Sequence, residues 1–396
     1  MVSFELTPEQ KEIQSWVHEF ALKEIRPHAA YYDQTEEFPW PIVKRAAEVG
    51  IYSFEFMQQM FADESGLLPA IVAEELAWGD AGCALALQAS GLPAMAIFSG
   101  GTPEQIMQWI PACYGTPAEP ALGAYCVTEA NAGSDVSMLR ASAKRVESGW
   151  LLNGVKSLIS NGGIAKVHVV VATVEPTLGL RGQATFIVPP GTPGLSVGEH
   201  YSKMGIRASW TAEVVLQDVF VPSDCLLGGE EKLNKKLERA RAGAPSRSAG
   251  ALKTFELTRP LVGAQALGVA RAAFEMALVY AKERKQFGHP IIENQAIAFQ
   301  LADMSMAIEA ARALIWHALW LGKHDQIDRA QGSMAKLMAA EVAIKVTNEA
   351  MQIFGGYGYL KEFNIERLVR DAHIFNLFEG TREVQRLVIS RALAAL

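Results

Sequence analysis

The spacing of apolar residues between Ile297 and Ala318 restricts this chain more than any other stretch. Ile297, Leu301, Met304, Ile308, Ala311, Ile315 and Ala318 recur in strict steps of 4, 3, 4, 3, 4 and 3. Only a continuous helix gathers them on one side, and so narrow an apolar seam has to be buried in a helical bundle or at a subunit interface. Neighbouring segments agree. Thr258-Arg259-Pro260 reads as a helix start, a cap with proline in the first turn, and that helix is expected to close with Lys282, Arg284 and Lys285 before Gly288, cations at the negative end of the dipole. A further helix through Met338, Val342, Val346 and Ile353 should stop at Gly355-Gly356.

The first part of the chain is helical as well. Thr7-Pro8-Glu9-Gln10 and Thr102-Pro103-Glu104-Gln105 are both capping-box starts, and Cys83 to Phe98 is apolar nearly all round, as one helix buried in a core would be. Between about Ala121 and Gly228 the period changes. Short β-rich runs (Gly123 to Val127, Trp150 to Leu152, Val167 to Thr173, Ala184 to Val188, Ala212 to Leu216) are separated by turn signals at Asn153-Gly154, Gly162-Gly163 and Pro189-Pro190-Gly191. This predicts an antiparallel β domain, and the absence of strand-helix alternation argues against a dinucleotide-binding parallel sheet. Residues 230–253, rich in Lys, Glu and Arg, read as an exposed connector, a solvated helix or loop. The predicted fold class is therefore α+β and multidomain: a helical domain over 1–120, a β domain over 121–229, the charged connector 230–253, and a helical bundle over 254–396.

Composition narrows the function classes. A formal charge of −7 over 396 residues lacks the basic footprint of a nucleic-acid protein. No apolar run is expected to reach the ~20 residues of a membrane helix. The four cysteines are widely spaced, with no Cys-x-x-Cys pair, so they are expected as reduced core residues and not as a disulfide or metal framework. No paired-His zinc motif occurs. The first residues resemble neither a signal nor a transit peptide, which points to a cytoplasmic protein or one whose targeting segment has been removed.

Four segments carry candidate chemistry. Tyr125 to Asp135 runs from a strand into a loop of small and hydroxyl residues, whose amides and hydroxyls could face a flat heteroaromatic ring or a phosphate, or form a plain turn. Glu283-Arg284-Lys285-Gln286-Phe287-Gly288 joins guanidinium and aromatic groups at a helix end, suited to a diphosphate or to satisfying the helix dipole. Gln352 to Gly358 is glycine-rich but follows a helix, which excludes a dinucleotide loop. In the fourth, an apolar run (Ile374, Phe375, Leu377, Phe378) delivers Glu379 to Gly380-Thr381. A carboxylate in such company is either a helix-start cap or a base strengthened by desolvation.

Taken together and in order, these segments resemble the acyl-CoA dehydrogenases, FAD-dependent flavoproteins, over nearly the whole length. The resemblance implies a β-barrel or sandwich in the middle and a four-helix bundle at the end. It implies that Glu379 takes the α-proton of an acyl-CoA thioester while the β-hydride goes to the flavin N5. For FAD it implies Tyr125, Val127, Thr128, Gly133 and Ser134, the run Leu158-Ile159-Ser160, and Thr381 and Glu383. Arg284, Phe287, Gln295, Gln352, Gly355 and Gly356 would hold the FAD diphosphate across a subunit boundary, in a homotetramer. The acyl-CoA would meet Ser134, Glu256, Thr258, Arg259, Gly380 and Arg391. Gln88, with Gly91 and Ala94, would lie near the acyl pocket and leave room for more than a short chain. Electrons would pass to an electron-transfer flavoprotein; an oxidase or monooxygenase on the same scaffold, or a silent flavin- or CoA-binding subunit, are the alternatives. One departure concerns Leu158, which stands where relatives usually carry Trp and removes an aromatic wall beside the flavin.

Overall fold

The computed structural model describes residues 5–244, 250–324, 326 and 329–394, with the backbone alone for 250–257 and 329. Eight α-helices come first: α1 (Pro8–Phe20), α2 (Ala29–Thr35), α3 (Trp40–Glu48), α4 (Phe54–Ala62), α5 (Leu68–Gly79), α6 (Ala81–Gln88), α7 (Gly91–Gly100) and α8 (Pro103–Ala112). Both predicted capping boxes form. Thr7 Oγ1 accepts from the Gln10 amide at 3.2 Å, and Thr102 Oγ1 from the Gln105 amide at 3.3 Å.

The single buried helix expected over 83–98 is instead two, α6 and α7, broken at Ala89-Ser90. The break releases Ser90, which is fully buried, to bond the Tyr52 hydroxyl at 2.7 Å and to accept from the Gly123 amide at 3.0 Å. That places the first strand against the helices.

The middle sheet holds seven strands: β1 (Gly123–Cys126), β2 (Ser142–Val146), β3 (Gly149–Ser160), β4 (Val167–Thr173), β5 (Gln183–Val188), β6 (Leu195–His200) and β7 (Thr211–Pro222). Their order is β1-β4-β2-β3-β7-β6, with β5 also on β4. The sheet is mixed and not purely antiparallel, because β1 lies parallel to β4 with Gly123 opposite Val167. Asn153-Gly154 is not a turn either. It sits inside β3 at a register shift, with Gly154 at φ +143°, where a Cβ would meet Ala141 at 2.7 Å. Only glycine lets β3 pass that close.

After the sheet come α9 (Gly229–Arg241), α10 (Gly250–Glu283), α11 (Gln295–Lys323), α12 (Arg329–Phe354), α13 (Ile365–Ala372) and α14 (Arg382–Ala394). The predicted seam of α11 is buried from Leu301 through Ala318. Two expectations fail here. Residues 229–241 form an amphipathic helix with Leu233, Leu237 and Ala240 buried, and Lys236 Nζ donates to the Gln183 carbonyl at 2.5 Å, so this half of the connector is docked. Thr258-Pro260 is no helix start, since α10 already runs from Gly250; the Thr258 hydroxyl is used elsewhere, and the 254 boundary falls within a helix. By length and composition, Ala81–Gly100 and Thr258–Glu283 do reach membrane-spanning size, contrary to the expectation; their apolar windows are 72% and 61% buried inside the protein.

Charged side chains join the outer units. Glu74 and Glu75 of α5 are buried, and Arg271 of α10 donates to Glu74 Oε1 at 2.8 Å and to both oxygens of Glu75, while Arg312 of α11 reaches Glu74 Oε1 at 2.8 Å. All four cysteines are buried and free.

Candidate active site

The site is built around the turn that follows α13. That helix is fixed at both sides: Arg367 Nε lies 3.2 Å from Asp80 Oδ2, and the Ile206 amide donates to Asp371 Oδ1 at 2.5 Å. Burial, and after it the nearby Asp80 carboxylate, push the Asp371 carboxyl well above the usual carboxylate range. Phe375, 2% exposed, packs edge-on against Phe378 at 5.7 Å. The chain then turns sharply, with Glu379 at φ +52° and Gly380 at φ +98°. Thr381 Oγ1 accepts from the Val384 amide at 3.3 Å and so starts α14 as a cap. The capping role that Glu379 could have taken thus belongs to Thr381.

Glu379 instead lines a cavity of about 260 Å³. Burial raises its pKa, and the Thr258 hydroxyl, Lys336 and Arg259 act against that shift. Thr258 Oγ1 donates to Glu379 Oε2 at 2.6 Å. The result is a carboxylate of increased basicity that retains one oriented hydrogen bond, a fair description of a general base. Thr258→Val should remove a bond that favours the ionised form. The acid limb of a rate profile governed by Glu379 is then expected to move to higher pH, by on the order of one unit at 1.36 kcal/mol each; an unmoved limb in kcat/KM would show that Thr258 does not tune the base.

The same cavity is lined by Tyr125 within β1 and Val127 and Thr128 just beyond it, and by Leu158, Ile159 and Ser160 at the end of β3. The Thr128 and Ser160 side chains at two strand ends, with Leu158 61% exposed at φ +59° as an apolar flank, suit the polar edge and flat face of a heteroaromatic ring. Two anchors hold these strand ends. Lys156, fully buried, donates to the Val127 carbonyl at 2.9 Å and to Glu129 Oε1 at 2.7 Å, and Glu129 also accepts from the Arg140 and Ala141 amides at 2.7 and 2.9 Å. Beyond β3, Asn161 Nδ2 donates to the Gly123 carbonyl at 3.1 Å, and Trp210 Nε1 to that of Gly162 at 2.8 Å.

Gln88 and Gly91 line the cavity, whereas Ala94 is buried behind it. Gln265 of α10 donates to Gln88 Oε1 at 2.5 Å, a polar bridge that narrows the room left by sequence reasoning alone.

Other expected residues lie apart from the cavity. Arg259 is 5% exposed and bonds Ser333 at 3.2 Å, so it acts on Glu379 through charge and does not line the substrate's path. Gly133 and Ser134 sit on an exposed loop. Gly380, Thr381, Glu383 and Arg391 belong to the turn and to α14; Glu383 pairs with Arg382 at 2.6 Å and Arg391 is exposed in the last turn. Glu256 falls among side chains outside the described residues. Arg284, Phe287, Gln295, Gln352, Gly355 and Gly356 gather at one end of the bundle, where α10 and α12 finish and α11 begins. Arg284 lies 5.4 Å over the Tyr357 ring and Phe287 is 94% exposed. Sequence reasoning missed Lys336 and Gln265. A lone lysine in the apolar run Met334-Ala335-Lys336-Leu337-Met338 was the available signal for the first.

Known proteins resemble this chain over nearly its whole length. Residues 7–115, 124–219 and 249–394 match the family models "Acyl-CoA dehydrogenase, N-terminal domain", "middle domain" and "C-terminal domain". The chain is 40% identical to the probable acyl-CoA dehydrogenase YngJ of Bacillus subtilis strain 168, over 99% of this chain and 100% of that protein. It is similar to the butyryl-CoA dehydrogenase structure from Megasphaera elsdenii, with 37% identity, a TM-score of 0.89, and 99% and 100% of the two chains covered. It is also similar to a chain of the structure described as "Electron transferring flavoprotein of Acidaminococcus fermentans: Towards a mechanism of flavin-based electron bifurcation", with 35% identity, a TM-score of 0.88 and 99% of each chain covered.

Proposed function

The chain belongs to the acyl-CoA dehydrogenases, FAD-dependent oxidoreductases, and from that premise we propose that it converts a saturated acyl-CoA thioester to the trans-2-enoyl-CoA with Glu379 as the α-proton base. One observation carries the reading: Glu379 and the two strand ends line a single cavity. The strand-end residues Tyr125, Val127, Thr128, Leu158, Ile159 and Ser160 fit the ring of FAD by their mixture of hydroxyl and apolar side chains. FAD, when bound, supplies the acceptance of the β-hydride. The chain's own residues do the rest. Phe378 and the apolar walls exclude water from the acyl group, which strengthens the carboxylate further once the substrate is seated. Thr258 holds one oxygen of Glu379 and leaves the other free to take the proton.

The exposed bundle end supports a second part of the proposal. Arg284, Phe287, Gln295, Gln352, Gly355 and Gly356 are remote from the cavity of their own subunit, as residues serving a neighbour's FAD in a homotetramer would be. The acceptor in the proposal is an electron-transfer flavoprotein, supported by the similarity to the Acidaminococcus structure.

Anaerobic mixing of the FAD-loaded protein with a panel of acyl-CoA esters tests the reading. At least one ester is expected to bleach the flavin, with slow recovery in air and fast recovery with an electron-transfer flavoprotein. Rapid recovery in air alone would make the protein an oxidase. No bleaching by any ester would remove the proposal.

A further inference from the structure

A buried lysine behind the Glu379 turn has no part in the reaction as described. Lys336 of α12 is 1% exposed, and its partners are carbonyl oxygens, not carboxylates. Its Nζ donates to the Phe378 carbonyl at 3.0 Å and to the Gly380 carbonyl at 2.8 Å, the two that bracket Glu379. Gln385 of α14, fully buried, completes the set: its Nε2 donates to the Glu379 carbonyl at 3.1 Å and to that of Gly380 at 3.0 Å.

Three successive carbonyls therefore converge on one cation and one amide. Such convergence opposes itself electrostatically unless donors sit between the oxygens. The backbone is unfavourable too, because Glu379 occupies the left-handed region at φ +52°, which a residue with a Cβ rarely adopts. Gly380 follows at φ +98°, and a Cβ there would meet Gln385 Nε2 at 2.6 Å. The turn exists because something holds it, and the donors that hold it are Lys336 and Gln385.

We propose that Lys336 is a positioning residue for the base: by clamping the carbonyls on both sides of Glu379 it fixes the left-handed turn that aims the carboxylate into the cavity. Lys336 touches neither substrate nor FAD in this role. The inference rests on Glu379 being the base, and it adds the requirement that its aim depends on a charge on a different helix. Burial lowers the Lys336 pKa to about 8, and the charge of Glu379 acts in the opposite direction, so each group favours the ionised state of the other.

Lys336→Met removes the donors and the charge while keeping the length of the side chain. The expected result is a variant that retains FAD but whose flavin is reduced about 10²-fold more slowly at saturating acyl-CoA, the effect of misplacing a reacting group by about 1 Å. Affinity for a non-reacting acyl-CoA thioether should not change, and the isotope effect from α-deuterated substrate should rise as proton removal becomes more limiting. Lys336→Arg, which keeps the charge and donors, should recover part of the rate. Lys336→Gln, measured beside them, keeps a donor without the charge and covers the case in which the Met variant does not fold. Reduction at the wild-type rate in the Met or Gln variant would overturn the proposal. So would a slower rate with an unchanged isotope effect, which would mark Lys336 as merely structural. If the wild-type protein itself is not bleached, the functional reading fails first and separately.

Discussion

Glu379→Gln is expected to slow flavin reduction by acyl-CoA by about 10²–10⁴-fold, the usual contribution of a general base. The substitution isolates basicity. Gln keeps the size of the side chain, and its carbonyl can accept from Thr258 as the carboxylate does at 2.6 Å. FAD content and affinity for a non-reacting thioether should therefore survive while bleaching is lost. A Gln variant that bleaches as fast as wild type would strip Glu379 of its role. Stability gives an independent check with a defined sign. The folded-state pKa of Glu379 is raised, so the folded protein binds this proton more tightly than the unfolded chain. Its favourable contribution is complete below the unfolded pKa and is lost as pH rises through the folded one. At neutral pH the ionised Glu379 is a stability cost, and the Gln variant should melt at or above the wild-type temperature.

Lys156→Met is expected to destabilise the fold by about 3–5 kcal/mol, the cost of breaking a buried ion pair from one side. Lys156 and Glu129 are 0% and 5% exposed, and no water can replace the missing ammonium at the Val127 carbonyl without opening the strand ends. Two backbone amides, from Arg140 and Ala141, would still point at the stranded carboxylate. Urea unfolding measures the loss, and adding Glu129→Gln to the variant should recover part of it by removing the unpaired charge. A loss below about 1 kcal/mol would place the pair among interactions that contribute little to net stability. FAD affinity is expected to fall with it, since Lys156 ties down the segment that runs from Tyr125 to Thr128.

What was legible in the sequence is what local chemistry writes. The capping boxes at Thr7 and Thr102 and the seam of α11 need only residues three or four apart, and each formed as expected. Strands β2 and β6 went unseen because their sequences, Ser-Ala-Lys-Arg-Val and Leu-Ser-Val-Gly-Glu-His, are largely polar; β6 is a nearly fully exposed edge. The parallel pairing of β1 with β4 depends on residues 44 positions apart, Gly123 and Val167, and no turn signal announces it. Thr258-Pro260 misled because the same hydroxyl can cap a helix or bind a distant carboxylate. The site divides in the same way. Glu379 is marked by its apolar approach and by Gly380-Thr381, whereas Lys336 and Gln265 meet their partners over separations of 42 and 177 residues, so that a lysine in an apolar run hints at burial without naming a partner and Gln265 leaves no local pattern.

The arginine ties of α5 also bear on how the chain is made. Glu75 leaves the ribosome 196 residues before Arg271. At about 5–20 residues per second, that is on the order of 10–40 s during which Glu74 and Glu75 lack the guanidiniums of α10 and α11, with only His18 and Gln14, each 2.8 Å from Glu75 in the fold, already made. A chaperone that shields the emerging segment, or a slow codon run after it, would act in that interval, and a fragment truncated before the bundle should remain loosely packed at α5.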